Sequence, residues 1–256
     1  MLEKEKITKV GVAGCGALGS IVIDALTQGI DGYYLHAISD IAYNNNTLPN
    51  LSFDQLAEQC DLIIECLPPA AAADLARKVL SRDKNMIMIS ACAMLLHPEI
   101  YELSQKSSGK IIIPSGALAG LDAVNALNTT KIDSALIAST KPPNGFIGAP
   151  YIAQNNIDLD NITEKTCLFR GNALDAAVAF PKNVNVAATL SIAAIGPEHT
   201  QVEVWCDPNT LCNSHEITVS GGNSTITSRV DNRPDPSNPK SSALAGHSIV
   251  LSLIHI

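Results

Sequence analysis

Apolar and polar residues follow two rhythms in the first half of the chain. Short apolar runs at 7–13, 35–40, 61–66, 86–90 and 110–113 have the length of buried strands. Between them, 17–27, 54–58, 70–80 and 98–105 are built from helix formers with apolar residues at helical spacing. Such alternation predicts right-handed crossovers and a parallel sheet. The rhythm changes near Ala119. A helix is expected over 121–128, then an alternating strand over 132–140 and a Pro/Gly loop over 141–145. Further strands are expected at 166–169, 201–206, 216–220 and 224–229, with a helix over 184–194. Gly221-Gly222-Asn223 reads as a hairpin turn. This half therefore predicts an α+β domain with a mostly antiparallel sheet, and Ser241 caps a final helix that starts at 241–250.

Gly14-Cys15-Gly16-Ala17-Leu18-Gly19 joins the first expected strand to the first expected helix. In a G-x-G-x-x-G turn the first glycine permits the tight bend, the second lets backbone approach a pyrophosphate, and the third allows close helix–strand packing. The helix N-terminus then faces the phosphates. Asp40 ends the second strand about 20 residues after the last glycine, where a carboxylate meets adenosine ribose hydroxyls. An acid there favours NAD over NADP, whose 2′-phosphate it repels, although NADP stays open. The expected cofactor contacts are Gly14, Gly16, Ala17, Leu18, Gly19, Asp40, Cys66 and Leu67. Residues 1–118 are thus expected to form a Rossmann-type, doubly wound α/β domain, 119–240 an α+β substrate domain, and 241–250 a helix returning to the first.

With 256 residues, 46% of them hydrophobic, the chain can bury two cores. A net charge of −8 argues against a nucleic-acid partner. Seven cysteines without C-x-x-C pairing and no signal-like segment suggest reduced thiols in a cytoplasm. Cys60, Cys66, Cys92 and Cys167 read as small core residues. No metal-ligand spacing is visible, and no apolar run reaches membrane-span length. Leu251-Ser252-Leu253-Ile254-His255-Ile256 is what a sequencing-library transposon end encodes in one frame, so 251–256 is expected to be a non-native tail.

Five ordered segments carry a resemblance: Pro114-Ser115-Gly116-Ala117-Leu118-Ala119-Gly120, Lys141-Pro142-Pro143, Phe180-Pro181-Lys182-Asn183-Val184-Asn185, Asn213-Ser214-His215-Glu216 and Asn238-Pro239-Lys240-Ser241-Ser242. Together with the glycine turn they resemble the L-aspartate dehydrogenase family over nearly the whole chain. The family's usual Arg before Lys-Pro-Pro is Thr140 here, a loss expected to weaken an anionic contact, and its usual Thr after Asn-Pro-Lys is Ser241. The resemblance implies His215 as the catalytic histidine, Ala117 and Asn185 as contacts of the nicotinamide half, and Asn185, Lys240, Ser241 and Ser242 at the substrate end. It also implies a homodimer paired through substrate-domain sheets, and a place in NAD synthesis through iminoaspartate.

Oxidising aspartate to iminoaspartate, and on to oxaloacetate and ammonia, needs a base for the amine or an attacking water, and a neutral imidazole suits that task. The reverse reductive amination uses the same groups. The substrate carries two carboxylates, for which Lys182, Lys240, Ser241 and Ser242 are candidate donors, whereas Lys141 reads as a solvated surface charge. Asn185 reads equally well as a helix cap. Two alternatives keep the fold: a reductase of the homoserine-dehydrogenase or dihydrodipicolinate-reductase type, and a non-catalytic NAD-sensing module.

Overall fold

Five strands, β1 (Thr8–Ala13), β2 (Tyr33–Ser39), β3 (Leu62–Glu65), β4 (Asn85–Met88) and β5 (Ile111–Ile112), pair in parallel in the order β2-β1-β3-β4-β5. They belong to a computed structural model that describes residues 7–43, 47–233 and 242–255. The connections carry α1 (Ala17–Gln28), α2 (Phe53–Gln59), α3 (Pro69–Leu80), α4 (Cys92–Leu96) and α5 (Glu99–Lys106). Ser52 and Gln55 close a reciprocal capping box on α2, and Pro69 opens α3 at a position where a missing N–H costs nothing. The central strands β1, β3 and β4 are buried on both faces over most of their length, which explains their unbroken apolar runs. α4 lies in an apolar stretch with no polar face, so no helical period marks it in the sequence.

The second unit spans Ser115–Leu244, and the first combines Met1–Pro114 with Ala245–Ile256. In chain order the second holds α6 (Leu121–Leu127), β6 (Ile132–Lys141), α7 (Pro150–Gln154), β7 (Thr166–Asn172), α8 (Ala173–Ala179), α9 (Asn185–Ala193), β8 (Gln201–Cys206), β9 (Asn213–Gly221) and β10 (Ser224–Asn232). Its sheet runs β10-β9-β6-β8-β7 and is antiparallel except for the β6–β8 pair. β9 and β10 close as the expected hairpin, with Gly221 opposite Ser224 and Gly222 at a φ of 54°. β9 starts at Asn213, three residues before the apolar alternation begins. Its first inward positions, Asn213 and His215, are polar, which hid them from a hydrophobic count. On the inner face Ile137, Val202, Val204, Ile217 and Val219 are buried, and α8 and α9 pack on this sheet. The alternate residues Ala138, Glu203, Trp205, Glu216 and Thr218 stay at least partly exposed.

The last helix, α10 (Ala243–His255), runs without a break past Val250. Ile249 and Leu253 are buried in the first unit's apolar cluster with Val10, Val22 and Ile64.

Order β2-β1-β3 places a topological switch point between β1 and β3, where a crevice opens at the strands' C-terminal ends. Backbone packs tightly there. A Cβ on Gly19 would meet the Gly14 carbonyl oxygen at 1.8 Å, and one on Gly14, whose φ is 89°, would meet the Cys66 carbonyl oxygen at 2.4 Å. Gly16 has open space around it. Gly19→Ala should therefore lower the thermal midpoint by about 5 °C or more, while Gly16→Ala should leave it nearly unchanged. Scanning calorimetry of the two variants checks the contrast.

Candidate active site

The glycine turn lines a cleft of about 650 Å³ in the first unit, together with Asp40, Asn50, Cys66 and Leu67. Gly16 precedes α1 with no side-chain cap, and its surroundings are open, so main-chain N–H groups at the helix start have no side chain capping them. That arrangement fits a dinucleotide's phosphates. The Asp40 carboxylate accepts from Cys15 N at 2.7 Å through one oxygen and from Ala42 N at 2.7 Å through the other. It thus ties the turn to the end of β2, and a carboxylate with about four acceptor positions keeps capacity for a ribose. Of the expected cofactor residues, Gly14, Gly16, Asp40, Cys66 and Leu67 line this cleft; Ala17 and Leu18 open α1, and Gly19 is buried beneath the turn.

Glu65 was not expected. It ends β3 with no exposure, and its two carboxylate oxygens accept from Leu67 N and, at 2.9 Å, from Ser90 N. The Ser90 hydroxyl donates to the Leu67 carbonyl at 2.6 Å. One buried acid thereby joins the loops that follow β3 and β4. Burial pushes its pKa up to about 7, against the pull of these donors. A charge closing an otherwise apolar strand was the only sequence signal.

In the second unit, His215 is buried in β9 directly opposite Ser139 of β6, and His215 Nδ1 and Ser139 Oγ are hydrogen-bonded at 2.9 Å. Burial first, and the Lys141 charge second, hold the imidazole pKa down to about 3. The imidazole is therefore neutral at ordinary pH. Lys141 lies two residues beyond Ser139, hence on the same face. It is 7% exposed, with its stem against Gly145, and burial lowers its pKa to about 8. The expectation of a solvated Lys141 is thus overturned: strand alternation turns it inward, and the 143–146 turn covers its stem. Thr140 points the other way, onto the face that carries Glu203 and Trp205. Replacing an arginine there removes no donor from the His215 side.

Ala117 sits buried in a turn closed by a Leu118 N to Ser115 O bond of 3.2 Å. Asn185 is the first residue of α9, and Val184 occupies the cap, so the capping role is corrected. Lys182 is exposed beside Pro150 and Asn183. Ser242 donates to Asn232 Oδ1 at 2.7 Å. Lys240 and Ser241 lie outside the described residues. Cys60 and Cys92 are buried, whereas Cys66 and Cys167 are only partly so, because each sits at or beside a strand end.

Two family models match the chain: one described as aspartate dehydrogenase, C-terminal, over residues 122–256, and one described as homoserine dehydrogenase, NAD binding domain, over residues 14–114. A protein named L-aspartate dehydrogenase 3 from Bordetella bronchiseptica is 37% identical over 254 residues, covering 95% of this chain and 93% of its own. The L-aspartate dehydrogenase of Methanococcoides burtonii is 40% identical over 258 residues, at 96% and 95% coverage. Among solved structures, aspartate dehydrogenase from Thermotoga maritima shares the fold with a TM-score of 0.76 at 22% identity, covering 97% of this chain and 96% of that one. A hyperthermophilic archaeal homoserine dehydrogenase in complex with NADPH has a TM-score of 0.62 at 9% identity over 96% of each chain. Because the matches run through both units, from the glycine turn to the last helix, this chain belongs to the L-aspartate dehydrogenase family.

Proposed function

We propose that this protein oxidatively deaminates L-aspartate with NAD(P)⁺, and runs the reverse reductive amination of oxaloacetate with ammonia. The observation that carries the reading is 35–40% identity to proteins named L-aspartate dehydrogenase along almost the full chain. Bound in the first unit's cleft, NAD(P)⁺ supplies the two-electron acceptor. Backbone at Gly14, Gly16, Ala17 and Leu18 would hold its pyrophosphate, with Gly19 allowing the close packing beneath the turn, and Asp40 would take the ribose hydroxyls, which favours NAD over NADP. Glu65 holds the Cys66–Leu67 segment of the cleft wall through Leu67 N. By family resemblance Ala117 and Asn185 would serve the nicotinamide half, and Lys240, Ser241 and Ser242 the substrate end.

His215 takes the proton lost by the substrate amine or by a water. Ser139 occupies Nδ1, so Nε2 is the nitrogen left to act. Burial first, and the Lys141 charge second, make the imidazole a weak base, and a substrate carboxylate brought beside the pair would raise its basicity by offsetting the lysine's part. None of the seven cysteines is in a disulfide, which supports a reducing cytoplasm, and no described helix is long and apolar enough to cross a membrane. The outer face of the second sheet, with Trp205 and Ala138, offers the surface for a homodimer. Iminoaspartate released by this reaction would feed NAD synthesis.

The direct test is reduction of NAD⁺ by purified protein with L-aspartate, beside D-aspartate, L-glutamate and L-homoserine. Turnover with L-aspartate alone is expected; turnover with L-homoserine alone would return the chain to the homoserine-dehydrogenase reading. His215→Ala should lower kcat by about 10²–10⁴ with cofactor affinity intact. Ser139→Ala should cost up to about tenfold, the worth of one hydrogen bond.

Stability carries a second signature of His215. An unfolded histidine titrates near pH 6.5, about, so between that value and the folded one the unfolded chain binds an extra proton and stability falls as pH drops. Relative to His215→Gln, the native protein should lose about 2 kcal/mol between about pH 6.5 and about pH 5. Urea unfolding of both proteins at the two pH values measures it.

A further inference from the structure

Five polar side chains interrupt the apolar inner face of the second unit's sheet at one end. Ser139 and Lys141 lie on β6, Asn213 and His215 on β9, and Asn232 stands opposite Asn213 on β10. All five are buried, none more than 8% exposed. Ser139 and His215 satisfy one another. Two donors are left over. The Lys141 ammonium has no carboxylate partner among the described residues, and burial is the one influence acting on it. Asn232 Nδ2 is buried with no hydrogen-bond partner, although its Oδ1 holds the Ser242 hydroxyl.

The nearby acids among the described residues are engaged elsewhere. Asp231 accepts from Ser214 and pairs with Arg229, while Glu203 pairs with Arg170 and accepts from Trp205. Glu216 belongs to the outer face, alternate to His215. Asp207 caps the Asn209 N–H in the loop after β8. A buried cation and a buried amide donor without acceptors are costly in a folded protein unless a ligand supplies the missing oxygens.

We propose that Lys141 and Asn232 form a carboxylate-binding subsite beside His215 that selects a dicarboxylic substrate. The proposal rests on the aspartate reading given above and deepens it by assigning the residues that read an acidic group. Lys141 supplies the full charge, and Asn232, oriented by Ser242, supplies a directional N–H. A substrate carboxylate seated there also lies next to the imidazole it activates, so recognition and proton transfer are coupled. A monocarboxylic amino acid that leaves these donors unpaired is rejected.

The test compares the native protein with Lys141→Met and Asn232→Leu, which replace each donor by an apolar group of similar volume; Asn232→Leu also takes the acceptor from the partly buried Ser242 hydroxyl. Lys141→Met should melt no lower than the native protein, because the cost of burying an unpaired charge is removed, and Asn232→Leu should fold with at most the small loss of the Ser242 bond. In Lys141→Met the KM for L-aspartate and the inhibition constant of succinate should both rise by roughly 10²-fold, and in Asn232→Leu by about tenfold. NADH affinity, read by fluorescence, should stay unchanged in both. A folded Lys141→Met or Asn232→Leu with native KM and native succinate inhibition overturns the subsite. Should Lys141→Met not fold, Asn232→Leu alone decides. A native protein that reduces NAD⁺ with none of the amino acids and is untouched by succinate overturns the aspartate reading itself, and the subsite falls with it. Native turnover with unaltered variants removes the subsite alone.

Discussion

Desolvation of two basic side chains is the constraint on which the second unit's chemistry depends. His215 and Lys141 lie inward on neighbouring strands, among valines and isoleucines that form the core of the sheet. An apolar inner face is what holds a sheet to its helices, and each polar residue placed there costs free energy. Ser139 meets part of that cost for His215 by bonding to Nδ1. Among the described residues nothing comparable is placed for Lys141. The result is an imidazole kept neutral and a lysine held near its titration point, both set by burial more than by neighbouring charge. Pre-formed polar groups in a dry wall are the usual material of substrate recognition, since their interactions are strong where water is excluded.

The first unit solves a different problem with backbone. Its cleft wall is made by chain passing so close to chain that a side chain at Gly14 or Gly19 has no room. Such contact leaves main-chain donors pointing outward at the start of α1, where a phosphate can take them. Two carboxylates brace this geometry from either side. Asp40 holds the glycine turn through Cys15 N, and Glu65 holds the loops after β3 and β4. The burial that raises the Glu65 pKa to about 7 is the same desolvation seen at Lys141, acting on the opposite charge. In both units, the groups proposed to bind are held in place by groups that are buried.

Much of this was legible in the order of residues. Strand–helix alternation, the glycine turn and Asp40 are local patterns, because a parallel sheet buried on both faces writes itself as apolar runs and a tight turn as glycines. The ordered motifs of the second half pointed to the family and to His215. Helices such as α4 and α8 left no period because each is short and almost wholly apolar.

Tertiary structure alone decided the roles of Ser139, Lys141, Asn232 and Glu65. Ser139 is separated from His215 by 76 residues, and only the pairing of β6 with β9 makes them partners. Lys141 looked solvated because a single lysine is ordinarily a surface charge, and its burial follows from strand register and the fold of the next turn. Local sequence determines which segments become strands and where the chain must bend. Which face of a strand is dry, and whether a charge on it meets a partner, depends on what distant chain covers it, and that is a property of the packed whole.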